Sequence, residues 1–384
     1  MDASLSDYRR ALVSALGSPF FEGNRIEILR NGVEIFPAML KAIREARTQV
    51  DFLTYVYWTG DVAVEFADAL CDAAGRGLHV RVLLDGVGAF PIDRGLVEQM
   101  ERAGVDVRWF RPVKRLGVFR DLTHRTHRKV LVCDHRVGFT GGVGIGTEWE
   151  GDARTPDEWR DTHFRIEGPV VQGLQAAFVG NWLEGNPSDP IDLPPPPAKA
   201  GRVPIQVIRS TAALSWSDMS TLRRTLLGLA RSSIRISTPY FVPDEPTAQF
   251  LVDAVGRGVD VDILVPGEHI DHRVAKVAGA DLYEDLLDAG VRIWEYQRTM
   301  IHQKVTVLDD ALVSIGSANL NHRSLYQDDE VQLVAADEEF AREVNAMLSE
   351  DWKAGSPVSQ GQWKRRGRLQ RLAEIVTRPF RRQM

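Results

Sequence analysis

Two copies of one short pattern combine the residue types that could carry out acid–base and nucleophilic chemistry. They are His127-x-Lys129-x4-Asp134 and His302-x-Lys304-x4-Asp309. Attack on a phosphodiester needs a nucleophile, an acid for the leaving alkoxide and positive charge on the non-bridging oxygens. Two histidines can divide the first two tasks, and two lysines can supply the charge. The paired motifs therefore predict one phosphodiester-transfer site.

The residues after each histidine have the composition of a β-strand, in which alternate side chains share a face. His127 and Lys129 should therefore point the same way, as should His302 and Lys304. The aspartates complete the two catalytic motifs, but they fall on the opposite parity at the strand end. We expect Asp134 and Asp309 to support a turn or a neighbouring element.

Attack by a histidine nitrogen would give a covalent phosphohistidine, released later by water or by an alcohol. The second histidine would then return as the general base. Because the acids near the motifs form no clear metal-ligand cluster, we predict a metal-independent reaction without a cofactor.

The motifs lie at equivalent places in an internal duplication. Asp72 to Gly86 resembles Asp253 to Gly267, and the two motifs follow at similar offsets. In each copy a helical pattern, at 62–74 and 247–255, precedes a short apolar strand, at 80–84 and 261–265. Alternating strands and helices predict an α/β fold with mostly parallel sheets.

The duplication suggests domain boundaries. We expect a first domain at 1–185, a linker at 186–204 that contains a run of prolines from Pro194 to Pro197, and a second domain at 205–355. Residues 356–384 form a basic tail, with eight Lys or Arg and one acid after Gly361.

The formal net charge of −6 argues against a protein that coats nucleic acid, and we expect no nucleic-acid partner. The basic tail favours an anionic phospholipid surface instead. Leu369, Leu372, Ala373 and Val376 share one helical face there, so the tail could lie in a membrane interface or pack on the protein's own core.

The two cysteines, Cys71 and Cys133, lie in apolar stretches and indicate buried thiols without a disulfide framework. The N-terminal residues lack the apolar segment of a signal peptide, and no apolar run approaches roughly 18 residues. We expect a cytoplasmic protein, associated peripherally with the inner face of the cell membrane.

Small residues follow both motifs at the same distance, Gly141-Gly142 and Gly316-Ser317, and suit close approach of the backbone to a phosphate. With these features the chain resembles the phospholipase D superfamily. More narrowly, several stretches resemble bacterial cardiolipin synthases of the short type without transmembrane helices: Phe139 to Gly142, Trp159 to His163, Arg165 to Pro169, Pro239 to Glu245 and Gly316 to Leu320.

The resemblance implies two phospholipase D-like α/β sandwich domains, related by a pseudo-twofold axis, with the active site at their interface. It gives the nucleophile role to His127 and leaves His302 as acid and base, although the reverse order stays open. Phosphate contacts are implied for three residues: Gly142, Ser317 and Asn319.

Two acids, Asp161 and Glu330, occupy positions that orient the histidines in the family. The alternative is that they form ordinary ion pairs at the surface. We interpret the aromatic runs Tyr55 to Trp58 and Tyr240-Phe241 as core.

Three positions depart from the family pattern. Gly144 stands where Asn is usual, which would leave the amide contact to phosphate to the second half. Asn321 replaces the usual Asp, and Asp328 replaces a common Asn.

Three functions are compatible with the sequence. The first is a phosphatidyltransferase that forms cardiolipin from phosphatidylglycerol. The second is a phospholipid hydrolase or other phosphodiesterase; a nuclease is disfavoured because the acidic body offers no basic groove. The third is a non-enzymatic lipid-binding protein, against which the intact His and Lys of both motifs argue. The oligomeric state does not follow from the sequence.

Overall fold

The computed structural model describes residues 4–112, 123–185, 187–189, 194–212, 217–280, 282–367 and 377. Its strands β1–β17 are Phe20–Arg30, Gln49–Thr54, His79–Asp85, Asp106–Phe110, Val130–Cys133, Val137–Gly141, Thr162–Glu167, Val203–Ser210, Ser233–Ser237, Phe241–Val242, Asp260–Pro266, Arg292–Tyr296, Val305–Leu308, Leu312–Gly316, Leu320–Asn321, Glu330–Ala336 and Gly355–Pro357. Its helices α1–α12 are Leu5–Leu16, Asn31–Glu45, Asp61–Gly75, Arg94–Arg102, Val171–Gly185, Asp218–Leu229, Glu245–Gly256, Arg273–Ala280, Tyr283–Ala289, His322–Tyr326, Glu338–Lys353 and Gln360–Lys364.

One 15-stranded sheet runs through the molecule in the order β17-β12-β11-β9-β13-β14-β16-β8-β1-β7-β6-β5-β2-β3-β4. The strand order from β4 inward to β1 is repeated in the second half from β12 inward to β8. The two copies of the duplication therefore meet edge to edge, at β1 and β8. Antiparallel pairing of β1 with β8, for example Phe21 opposite Ile205, joins them. The predicted α/β fold with two duplicated halves is confirmed.

The prediction of mostly parallel sheets is wrong. Only β2-β3-β4 and β9-β11-β12 run parallel within the large sheet, and the other ladders are antiparallel. The reason lies in the hairpins β5–β6 and β13–β14. Asp134 and His135 both have φ of 53°, and Asp309 and Asp310 have 52° and 50°. Two successive left-handed residues make the tight turn that joins antiparallel strands.

The predicted helices and strands lie inside α3, α7, β3 and β11. Local chemistry explains the bounds of α7. The Asp244 carboxylate accepts the Thr247 N–H at 3.0 Å, and Pro246 fits the first turn because its nitrogen needs no partner there.

Helices cover both faces of the sheet. In the first half α2 and α3 pack on one face, and in the second half α6, α7 and α9 do so together with α1. Helices α5 and α11 share a third apolar cluster with strands of both halves, in which Phe164 of β7 contacts Phe340 of α11. This shared core holds the two halves in one orientation.

The aspartates of the two motifs support chain segments far from the histidines. Asp134 accepts the N–H groups of residues 47, 48 and 49 at 2.8–3.1 Å, just before β2. Asp309 accepts those of residues 231, 232 and 233 at 2.7–3.2 Å, just before β9, and the Tyr8 hydroxyl at 2.6 Å. Each aspartate therefore ties its hairpin to the neighbouring strand.

The linker and the tail are described in part. Pro194, Pro195 and Pro197 border a groove of about 460 Å³ together with Phe21 and Val207. Trp363 packs against Tyr283 with 5.2 Å between ring centres, and Arg366 pairs with Glu284 at 2.8 Å. The apolar face expected at 369–376 lies outside the described residues.

We predict that Asp309→Asn destabilises the fold by about 2 kcal/mol, because several hydrogen bonds to a charged oxygen weaken together. Urea unfolding should measure this loss, while the folded variant keeps its specific activity within about threefold. The neighbouring Asp310→Asn is the control, with an expected loss below about 1 kcal/mol. A loss of specific activity clearly greater than about threefold in the folded variant would contradict a supporting role.

Candidate active site

The site forms where the two halves exchange short segments. The His127 N–H donates to the Asp329 carbonyl at 2.9 Å, beside an isolated bridge between Thr126 and Asp329. Symmetrically, the His302 N–H donates to the Arg160 carbonyl at 2.7 Å, beside a bridge between Arg160 and Ile301. Each motif histidine is therefore anchored to the chain that precedes an acid of the other half.

Each histidine is bonded to that acid. His127 Nδ1 lies 2.9 and 3.1 Å from the Glu330 carboxylate oxygens, and His302 Nδ1 lies 2.9 Å from Asp161 Oδ2. The side chains of Glu330 and Asp161 are 0% and 1% exposed. The alternative of ordinary surface ion pairs is therefore wrong.

The small residues after the motifs support these acids. A Cβ on Gly142 would lie 2.2 Å from Asp161 Oδ1, so only glycine lets the acid approach. At the equivalent position the Ser317 hydroxyl donates to Glu330 Oε2. Neither residue lines the cavity, although both were expected to contact phosphate. Their contacts indicate that they position the carboxylates instead.

The lysines lie beside the histidines, as the strand spacing predicts. Lys129 Nζ donates to the His127 carbonyl at 3.1 Å. Lys304 Nζ donates to the His302 carbonyl at 2.6 Å and lies 3.1 Å from both nitrogens of its ring. Two ammonium groups thus converge on the two imidazoles.

A cavity of about 360 Å³ opens over the histidines and is lined by Lys129 and Asn319 among others. The buried Asn319 side-chain oxygen has no hydrogen-bond partner among the described residues, so it can accept a hydrogen bond from a ligand, and the NH2 group of the same amide is a donor. At Gly144 a Cβ would lie 2.7 Å from that of Val56, so an asparagine would not fit there. The amide contact is available from the second half alone.

Burial sets the protonation state of the histidines. It lowers the pKa of His127 to about 4, against the opposing effect of Glu330, and lowers that of His302 to about 4 together with the charge of Lys304. Burial acts to raise the pKa of Asp161, but the hydrogen bonds from His302 and Trp149 and the nearby positive charge of Lys304 together lower it to about 2. Near pH 7 each neutral imidazole donates Nδ1–H to an ionised acid, which leaves the Nε2 lone pair for chemistry.

Burial also acts on the two lysines. It lowers the pKa of Lys129 to about 8 and that of Lys304 to about 7, even though Asp161 and Glu330 oppose the shift. Both ammonium groups are therefore close to losing their charge at neutral pH. A bound phosphodiester anion would stabilise that charge and would also raise the pKa of the adjacent imidazoles.

Buried polar side chains fix the exchanged segments. Arg128 donates to the Glu330 carbonyl at 3.2 Å and to Asn181 at 2.9 Å, and Asn181 donates to Asp329 at 2.5 Å. On the other side Arg160 forms a bidentate pair with Asp351 at 2.8 and 2.9 Å. Fully paired buried charges of this kind hold one geometry.

Sequence reasoning missed the aromatic wall of the site. The Trp149 indole donates to Asp161 Oδ2 at 2.9 Å, and no motif marked it. Tyr55, Trp58 and Tyr240 line the cavity, although their runs were interpreted as core. The Tyr55 ring meets the His127 ring edge-on, with 5.1 Å between centres.

Among the described residues, no group of three or more His, Cys, Asp or Glu is placed to hold a metal ion. In the same part of the chain, no helix has the length and apolar character needed to cross a membrane.

Solved structures of other proteins share this fold. A phosphatidylserine synthase of Haemophilus influenzae shares it with a TM-score of 0.71 at 15% identity, over 98% of this chain and 100% of that one. A polyphosphate kinase of Porphyromonas gingivalis aligns with a TM-score of 0.61 at 14% identity, over 88% of this chain and 49% of that one. At these identities the likeness concerns the fold alone.

Sequence comparison gives the family. The family described as "Cardiolipin synthase, PLD-like domain" matches residues 39–149 and 224–352. A probable cardiolipin synthase of Bacillus subtilis is 33% identical over 93% of this chain and 72% of its own length. Cardiolipin synthase A of Pseudomonas aeruginosa is 34% identical over 96% of this chain and 75% of its own. The chain belongs to the cardiolipin synthase family and is an enzyme of the phospholipase D superfamily.

We predict that Asp161→Asn and Glu330→Gln each lower kcat about 100-fold or more, since the imidazolium that forms loses its counter-charge. If His127 is the nucleophile, Glu330→Gln chiefly slows formation of the labelled protein, whereas Asp161→Asn slows both its formation and its decay, because His302 acts in both steps. Rapid-quench labelling measures both steps. Glu167→Gln, in a surface pair with Arg165, is the control. Equal effects of all three variants would rule out a positioning role.

A second prediction concerns pH. Because the pKa values of Lys304 and Lys129 are lowered to about 7 and 8, their charge is present below these values and lost above them. We expect kcat/KM for a soluble phosphodiester to fall above pH 7 to 8, well below the ordinary lysine pKa of about 10.4. A rate that stays constant up to pH 9 would contradict the assignment.

Proposed function

We propose that this protein is a phosphatidyltransferase that forms cardiolipin and glycerol from two molecules of phosphatidylglycerol. One observation above all supports this: two histidines, each held at Nδ1 by a buried acid, line one cavity together with Lys129, and Lys304 lies beside the His302 ring. The names of the relatives, cardiolipin synthases, supply the substrate class.

In the first step His127 Nε2 attacks the phosphorus of one phosphatidylglycerol. The bond from phosphorus to the glycerol oxygen breaks, and this oxygen takes a proton from His302. The anionic substrate favours the protonated form of His302 in the occupied site. Glycerol leaves, and the phosphatidyl group stays on His127.

In the second step the neutral His302 removes a proton from a hydroxyl of a second phosphatidylglycerol. The oxygen attacks phosphorus, the bond to His127 breaks, and cardiolipin forms. Lys129, Lys304 and the Asn319 amide would bind the non-bridging oxygens in both steps. Glu330 stabilises the charge on His127, and Asp161 that on His302. The histidine order follows the family resemblance, and the reverse order is the alternative.

The wall of the cavity favours an alcohol over water as the acceptor. Trp149 and Trp159 lie 5.3 and 5.2 Å from the His302 ring, and Tyr240 lies 6.3 Å from it. An aromatic surface beside the base limits ordered water there. A hydrolase would differ only in using water as the acceptor, so analysis of the products distinguishes a hydrolase from a transferase.

We also propose that the protein works as a peripheral protein on the inner face of the cell membrane. Its substrates are anchored in a bilayer, and the expected basic segment at 364–382 would add attraction to anionic lipid. Trp363, immediately before that segment, packs on the core.

The test is incubation of purified protein with labelled phosphatidylglycerol and a chelator, followed by lipid chromatography. We expect cardiolipin and free glycerol in equal amounts. Phosphatidic acid as the main product would support the hydrolase instead. Loss of turnover on addition of chelator would contradict metal independence.

His302→Ala and His127→Ala identify the intermediate. With His127 as the nucleophile, an acid-quenched reaction of His302→Ala should retain label on the protein, and His127→Ala should not. The opposite result reverses the two roles and leaves the proposed activity intact. No lipid product and no labelled protein from the wild type would leave only a binding function.

A further inference from the structure

Arg323 and Asp328 line the cavity as an ion pair that has no part in the chemistry described above. Arg323, in α10, donates to Asp328 at 2.8 and 3.1 Å, and both side chains line the cavity with His127 and Lys129. The Asp328 side chain is 9% exposed and that of Arg323 is 25% exposed. The pair is therefore close to the reacting groups but open to a ligand.

The duplication makes this pair unusual. Asp328 lies two residues before Glu330, and the equivalent position before Asp161 is Trp159. Trp159 lies against the His302 ring, whereas Asp328 brings a carboxylate and a guanidinium to the side of His127. The two walls of one pseudo-symmetric site have thus diverged into an aromatic wall and a charged wall.

The charge of the two reactants suggests a role for the charged wall. In the proposed mechanism the lysines of the two motifs bind the phosphodiester of the donor. An acceptor that is itself a phosphodiester brings a second negative charge into the same cavity. Among the described lining residues, Arg323 is the one Lys or Arg besides Lys129. A guanidinium has five donors in a fork, so it can keep Asp328 and still bind phosphate oxygens.

The carboxylate beside the guanidinium suits the hydroxyls of the acceptor. Burial raises the pKa of Asp328 to about 6, against the opposing effect of Arg323, so the group can accept or donate a hydrogen bond near neutral pH. Its backbone is fixed as well, because the Asp328 N–H donates to the Arg323 carbonyl at 2.9 Å. The two groups are held in one relative position.

We propose that Arg323 and Asp328 form the acceptor subsite, in which Arg323 binds the phosphodiester of the incoming lipid alcohol and Asp328 binds its hydroxyls. The inference rests on the proposed transferase function and specifies its second substrate as an anionic alcohol. It assigns these residues to binding alone, and the bond-forming groups remain those of the two motifs.

The test compares a charged and a neutral acceptor with one donor. Arg323→Gln is incubated with phosphatidylglycerol, and cardiolipin formation is measured; in parallel, labelled glycerol is supplied and its incorporation into phosphatidylglycerol is measured. Because the donor is the same, effects on donor binding and on His127 cancel in the ratio. We expect the ratio of cardiolipin formation to glycerol incorporation to fall roughly 10- to 100-fold.

Arg102→Gln is the matched control, since Arg102 pairs with Glu98 at 2.7 Å on the exposed face of α4. It should leave the ratio unchanged. Arg323→Met, which keeps the apolar stem without donors, takes the place of Arg323→Gln if thermal unfolding reveals a misfolded protein. An unchanged ratio, or an equal loss with both acceptors, would overturn the subsite. Wild-type protein that makes only phosphatidic acid would instead overturn the transferase function and the subsite with it.

Discussion

The exchange of histidine–carboxylate pairs between the halves is the constraint on which the structure depends. A buried imidazole needs a partner at Nδ1, and here the partner of each histidine comes from the other half of the chain. Neither half can therefore build a competent site by itself. Two features hold the halves at the separation that these histidine–carboxylate pairs require. They are the continuous sheet through β1 and β8 and the apolar core shared by α5 and α11.

Burial of these pairs also sets the electrostatics. The same loss of water that keeps the imidazoles neutral weakens the charge on Lys129 and Lys304. A phosphodiester anion relieves both effects at once, because it stabilises the ammonium groups and favours a protonated imidazole. In the proposed mechanism, substrate binding would therefore give the site its reactive charge distribution.

The sequence predicted the parts of the site that have local signatures. Spacing placed His127 beside Lys129, and the repeat located the second motif. A turn or a neighbouring element was expected at Asp134 and Asp309, but the antiparallel pairing was missed, because Asp-His and Asp-Asp are weak signals for a hairpin turn that usually carries glycine. Trp149 could not be found at all, since its indole meets Asp161 only after the chain has folded. The contacts of Gly142 and Ser317 could not be predicted either, because they depend on where the two acids lie in the folded chain.

Divergence between the two halves follows from the asymmetry of the reaction. A duplicated fold provides two equivalent positions around each motif. A transfer reaction, however, involves a donor, a leaving group and an acceptor that differ in shape and charge. The two halves have stayed similar where they hold the histidines. They differ at positions that line the cavity or lie close to it, where Gly144 corresponds to Asn319 and Trp159 to Asp328. At Gly144 the space for an amide is filled by Val56, so the loss of symmetry is built into the packing and is not a matter of one side chain. Substrate preference can thus change in one wall without disturbing the exchanged pairs.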